Sequence, residues 1–231
     1  MTGAPNTRWS DSAYSLRRYY VDEFHFRYVA SLAGGSRVLD LGGHRIRKRG
    51  RFDIGRYGLD VTTVDLTSAK SPDVQADARS LPFRDRSFDA VVCSEVLQFV
   101  PDPAVVLAEI HRTLREGGRV CICVPFLFPQ HGDPIDYARY TDAYWRDRLA
   151  VLGFSVEVVE RQGAFWSVLV DQMRTYAAEG LAGPSLGERA LRIPLAAVIP
   201  LAKRFAVWRD ARPQPRLPVY ATGFGVVARR I

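Results

Sequence analysis

Four short apolar runs recur in the first 125 residues: Ser36 to Leu41 (SRVLDL), Val61 to Leu66 (VTTVDL), Phe88 to Ser94 (FDAVVCS) and Arg119 to Pro125 (RVCICVP). Each is too short for a helix, and the third and fourth are nearly unbroken. Such runs form strands buried on both faces, the arrangement found in parallel sheets covered by helices on either side. Between the last two, the sequence predicts a helix. Asp102 can cap it, Pro103 suits its first turn, Val106, Leu107, Ile110 and Leu114 form the apolar stripe, and Gly117 can close it. Strands alternating with helices imply an α/β sandwich with a mainly parallel sheet.

The flanking segments extend this frame. Residues 11–32 read as a helix with Tyr20, Phe24 and Tyr28 on one face, stopped by Gly34 and Gly35. After Pro125 the pattern loosens into FLFPQHGDPIDYARYT, then resumes with a helix at Asp142 to Leu152 and a strand at Phe154 to Val159. Gly223 to Arg229 is the only later strand candidate, expected to be antiparallel. Residues 164–215 form a mostly helical insertion before it, with Pro184, Pro194, Pro200, Pro213 and Pro215 expected to punctuate the helices.

Composition narrows the class. With 231 residues, 47% apolar and 25% charged, the chain is globular and not fibrous or disordered. Cys93, Cys121 and Cys123 cannot form a disulfide framework, and no CxxC or CxxH pair is present, so no metal site is expected and the compartment is expected to be reducing. The polar N-terminal segment lacks a signal-peptide core and no apolar stretch is long enough to span a bilayer, which places the chain, as an expectation, in the cytoplasm. The net charge of +7 comes from 32 basic and 25 acidic residues, only three of them Lys (Lys48, Lys70 and Lys203). The dense cluster from His44 to Arg56 could contact phosphates, but most charge runs end in solvent, and no nucleic-acid partner is expected. The apolar run Ile193 to Ala202, followed by Lys203, Arg204, Phe205 and Trp208, is too short to span. It suits either peripheral contact with a membrane surface or a lid packed over a binding site.

In open α/β sheets ligands sit at the carboxyl ends of the strands. The first strand ends Asp40-Leu41-Gly42-Gly43, where glycines let a ligand approach the backbone, and the second ends in Asp65, about 20 residues on, where a carboxylate can accept hydrogen bonds from ribose hydroxyls. A nucleoside ligand follows. The competing reading makes Asp40 and Asp65 turn and cap residues. The dinucleotide pattern G-x-G-x-x-G is not met, which weakens an NAD reading, and no P-loop sequence occurs.

Taken in order, VLDLGG at 38–43, VDL at 64–66, DARSLPF at 77–83, SFDAVVCSEVLQFV at 87–100 and LREGGRVCICVPF at 114–126 resemble the successive motifs of class I S-adenosylmethionine-dependent methyltransferases, in the type 11 branch. The resemblance covers roughly residues 30–160. It implies a Rossmann-like methyltransferase sandwich in one domain: an N-terminal helix at 11–32, a cofactor-binding core at 33–162, a helical insertion or acceptor lid at 163–215, and the last strand at 216–231. It also implies S-adenosylmethionine as cofactor and S-adenosylhomocysteine as product. Asp40, Gly42 and Gly43 would lie along the methionine part, Asp65 would hold the ribose, Asp77 and Ala78 would border the adenine, and Cys93, Ser94 and Glu95 would end the fourth strand beside the cofactor. His44 departs from D-x-G-x-G, and Gln98-Phe99 replace the commoner Glu-His.

RKRGRF at 47–52 and PFLFPQHGDPIDYARYT at 125–141 resemble the members associated with sugar and glycan biosynthesis. That implies O-methylation of a saccharide or related hydroxyl. Methylation of a lipid quinone or other small metabolite is the alternative, and a non-catalytic nucleoside- or RNA-binding module is the alternative of another class. Removing the acceptor's proton needs a local base. His131, with Asp133 to orient it, is the expected base and His44 the second choice. A loop histidine bonded to backbone explains His131 equally, and a structural brace explains Asp136, Arg139 and Tyr140. His25 and His111 fall in helical patterns and are expected to serve no chemistry.

Overall fold

The computed structural model describes residues 11, 13–43, 50–130, 132, 135–178, 186–213 and 219–231, with the side chains of 186, 188, 189 and 191 excepted. His44, His131 and Asp133 lie outside the described residues.

Seven strands form one sheet: β1 (Arg37–Leu41), β2 (Asp60–Asp65), β3 (Val74–Gln75), β4 (Phe88–Ser94), β5 (Leu114–Pro125), β6 (Phe154–Gln162) and β7 (Gly223–Arg230), in the order β3-β2-β1-β4-β5-β7-β6. The five strands from β3 to β5 pair in parallel, and β7 runs antiparallel to both β5 and β6. This is the expected mainly parallel, Rossmann-like methyltransferase sandwich with an antiparallel last strand.

The side-chain period of two sends alternate strand residues to opposite faces. Leu39, Leu41, Val91, Cys93, Val120 and Ile122 pack on one side with Val106, Leu107 and Ile110 of α2 (Pro103–Thr113) and Trp145 and Leu149 of α3 (Asp142–Val151). Val38, Ala90, Val92, Cys121 and Cys123 pack on the other with Val21 and Phe24 of α1 (Leu16–Tyr28). The insertion is α4 (Phe165–Ala178) and α5 (Leu186–Asp210). It leaves the sheet after β6 and returns at β7, at the edge where the parallel strands end.

Two local expectations fail. Asp102 caps α2 through Ala104 N–H (3.0 Å) and Pro103 opens it, but Gly117 does not close it. Leu114 is already extended (φ −71°, ψ 144°), and Gly117, at φ +70°, lies in β5 where the register against β4 slips between Phe88 and Ala90. Gly117 serves a bulge, which needs the same left-handed backbone as a helix end. Pro194 and Pro200 do not interrupt α5, which runs through both. The carbonyls that lose their partners belong to Ala190 and Ala196, both exposed residues, where water can replace the missing N–H.

Candidate functional site

The strands end level. Leu41 is in register with Val64 and with Cys93, and Cys93 with Ile122, so the residues just beyond them share one edge. After β1, the Gly42 N–H donates to the Val64 carbonyl at 2.7 Å and the chain turns at φ +71°. A Cβ at Gly42 would run into Val96, and one at Gly43 into the Asp40 carboxylate. The turn therefore offers only backbone to a ligand, as the glycines implied.

Asp65 accepts from the Thr67 N–H (2.9 Å) and hydroxyl (3.2 Å) through Oδ1, and its carbonyl accepts from the Ala76 N–H at 3.0 Å. It thus shapes its own turn and ties it to the segment leading to Asp77. Asp77 forms a fork with the Arg79 guanidinium (2.6–3.1 Å), whose hydrogen bonds hold its carboxyl below the ordinary range. Ala78 packs, partly buried, on the core. From α2, Glu109 accepts from the Leu81 N–H at 2.8 Å, and Arg112 donates to the Leu81 and Phe83 carbonyls, fixing the segment that follows Asp77 and Ala78.

At the end of β4 the three expected residues play different parts. Cys93 is buried in the core, where desolvation pushes its thiol far above the ordinary range, so it packs as a core residue and is not a reactive group. Ser94 Oγ is 2.7 Å from Nε2 of His25 on α1. Glu95 sits at φ +60°, an uncommon conformation for a residue with a side chain, its N–H donating to the Cys123 carbonyl at 2.8 Å. Its carboxylate is held by Arg17 of α1, at 2.5 Å from Nη2 and 3.1 Å from Nε. Arg17 also donates to Oε1 of Gln162, the last residue of β6. Asp171 of α4 accepts from the Leu16 and Arg17 N–H groups, both at 2.8 Å, and so fixes the start of α1.

Arg17, His25, Gln162 and Asp171 were not among the sequence-derived candidates. His25 was expected to be inert, and it does stay uncharged: burial, aided by Arg18 and Arg17, lowers its pKa to about 3. Its place at the site edge is nonetheless a finding. His111 lies at the opposite edge, beside Gly153 at the start of β6. The expected brace exists, Asp136 being buried and paired with Arg139.

Among the described residues, the Gln98 amide just past β4 lacks a partner. Gln98, four residues past β4 and 1% exposed, has neither its amide nitrogen nor its oxygen hydrogen-bonded, although its carbonyl accepts from the Tyr137 N–H at 2.8 Å. A buried amide left unpaired is costly, and a bound molecule bearing a donor and an acceptor would satisfy it. Bare backbone at Gly42-Gly43 and carboxylates at Asp40, Asp65 and Asp77 suit a neutral-to-cationic nucleoside better than a polyphosphate. Among the described residues, no three His, Cys, Asp or Glu side chains gather as a metal site would require.

Residues 47–122 match the family described as a methyltransferase domain. That segment, about a third of the chain, is similar to methyltransferase domains. Among its relatives is the ubiquinone/menaquinone biosynthesis C-methyltransferase UbiE of Desulfotalea psychrophila, 34% identical over 106 residues, covering 46% of this chain and 41% of that one. The demethylmenaquinone methyltransferase of Clavibacter sepedonicus is 52% identical over 114 residues, covering 42% and 44%. The chain thus spans less than half the length of these curated relatives. A geranyl diphosphate methyltransferase solved in complex with S-adenosylmethionine superposes with a TM-score of 0.56 over 91% of this chain and 84% of that one at 15% identity, a likeness of fold alone.

Proposed function

We propose that the protein transfers a methyl group from S-adenosylmethionine to a small organic acceptor of the lipid-quinone kind, at a ring carbon. The observation that supports the cofactor is the level edge of β1, β2 and β4, just beyond which Gly42-Gly43 and Asp65 follow in the chain. Support for the acceptor comes from the names of the Desulfotalea and Clavibacter relatives, which are those of quinone methyltransferases. They favour carbon methylation of a quinone over the O-methylation of a saccharide that the segments at 47–52 and 125–141 suggested.

When bound, S-adenosylmethionine supplies an electrophilic methyl group on a sulfonium. The chain's part is to bind, align and deprotonate. The Gly42-Gly43 backbone borders the methionine part, Asp65 takes the ribose hydroxyls, and Asp77 with Ala78 borders the adenine. Arg17 keeps the Glu95 carboxylate oriented at the end of β4. A hydroquinone ring becomes nucleophilic at carbon when its hydroxyl loses a proton. We assign that step to His131 with Asp133, or to His44; the neutral, buried His25 is tied to Ser94 and is no candidate.

The test is mass spectrometry after incubation with methyl-labelled cofactor and either a reduced demethylated naphthoquinone or a panel of saccharides. Label on a ring carbon of the quinol is expected. Label on a saccharide oxygen, with none on the quinol, would return the acceptor to the sugar class.

A further inference from the structure

The longest described helix, α5, has two opposed faces. Ile199, Lys203 and Ala206 are buried, and with Asp210 they form an inner stripe spaced 4, 3 and 4 residues apart. This stripe fastens α5 to the body. Lys203 Nζ donates to the Asp11 carbonyl at 2.8 Å, and the Asp210 carboxylate accepts from the N–H groups of Ala164 (3.0 Å), Trp166 (3.2 Å) and Ser167 (2.8 Å) at the start of α4.

The outer face is apolar and open. Val198 (50% exposed), Leu201 (72%), Phe205 (43%) and Trp208 (52%) follow the same helical spacing, with Ile193 (70%) beside them. From Val198 to Trp208 the stripe runs about 15 Å along the helix. Contiguous exposed apolar surface of this kind marks a contact face. Its surroundings are cationic: Arg204 is exposed on one flank, Arg209 lies on the other, and Arg212 stacks on Trp208 with its guanidinium 3.9 Å from the ring centre. Asp210, the only acid among the described side chains of α5, is turned inward onto α4. An apolar stripe containing Trp and Phe, flanked by arginines and with no outward acid among the described side chains of α5, is complementary to a layer that is apolar inside and anionic at its surface. The chain's net charge of +7 acts in the same direction.

We propose that the outer face of α5 docks on an anionic lipid bilayer, with Val198, Leu201, Phe205 and Trp208 at the boundary between headgroups and acyl chains and the arginines on the phosphates. No described helix is long and apolar enough to cross a membrane, so the contact is with the surface. The inference does not depend on the identity of the methyl acceptor.

Vesicle flotation of the full chain tests it. The protein is expected to float with phosphatidylglycerol-rich vesicles, to stay behind with pure phosphatidylcholine, and to be released by high salt. V198E/L201E, on exposed positions outside the site, should abolish flotation with an unchanged circular dichroism spectrum and melting temperature. R204A/R212A should weaken partitioning about tenfold or more. Absence of flotation from anionic vesicles would overturn the proposal. So would a chain that dimerises in solution through this face, the dimer being lost in V198E/L201E while vesicles bind both forms equally.

Discussion

At the scale of single residues, the site edge depends on groups whose partners are far away in sequence. His25 meets Ser94 across 69 residues, and Arg17 reaches Glu95 across 78 and Gln162 across 145. No local pattern announces such pairs. The residues at the strand ends were legible because glycine and aspartate there follow from strand geometry; Arg17 and His25 were not, since helical spacing marks Tyr20, Phe24 and Tyr28 just as well. The buried His25 has a testable consequence. Its folded pKa of about 3 lies below the ordinary 6.5, so below 6.5 the unfolded chain binds a proton that the folded chain refuses. Stability from this residue is complete above pH 6.5 and falls steadily toward pH 3, by about 2 kcal/mol on reaching about pH 5. Asp22 and Asp171, pushed up by burial, act in the opposite sense. The comparison is therefore with His25→Gln: urea denaturation from about pH 5 to 7 should show a slope in the native protein that the variant lacks. Equal slopes would mean that His25 is charged in the folded state.

At the scale of elements, the strands and α2 could be read from unbroken apolar runs and from Asp102-Pro103, because buried strands and capped helices draw on short-range rules. The ends were less legible. Gly117 fits a helix stop and a strand bulge alike, and prolines at 194 and 200 read as breaks because the sequence does not show that the affected turns face water. The insertion was expected either to cover the acceptor as a lid or to touch a membrane surface, and its structure shows a bracing role that neither expectation included. Asp171 of α4 fixes the first turn of α1, which carries Arg17 to Glu95, while Asp210 of α5 fixes the first turn of α4. Asp210→Ala removes the acceptor for three helix N–H groups. It should cost about 1–2 kcal/mol and lower Tm by a few degrees. Calorimetric unfolding measures it, with Asp210→Asn expected to recover part of the loss. A variant as stable as the parent would show that water caps α4 equally well.

At the scale of the molecule, one sheet edge gathers the residues proposed to face the cofactor, and helices on both faces bury the rest of each strand. Sequence alone gave access to this plan through the five ordered motifs, because a doubly covered parallel sheet constrains both the strand interiors and the turns that end them. It gave no access to how α4 braces α1 or to the two-faced character of α5, which arise only when the chain is folded. The central claim is that this edge binds S-adenosylmethionine. Isothermal titration calorimetry of the native protein and Asp65→Ala with S-adenosylhomocysteine and with NAD tests it most directly. S-adenosylhomocysteine should bind the native protein and NAD should not, and Asp65→Ala should weaken that binding by about 1–3 kcal/mol, the loss of hydrogen bonds to a charged group. Binding of NAD with no response to S-adenosylhomocysteine, or the same affinity in both proteins, would contradict it.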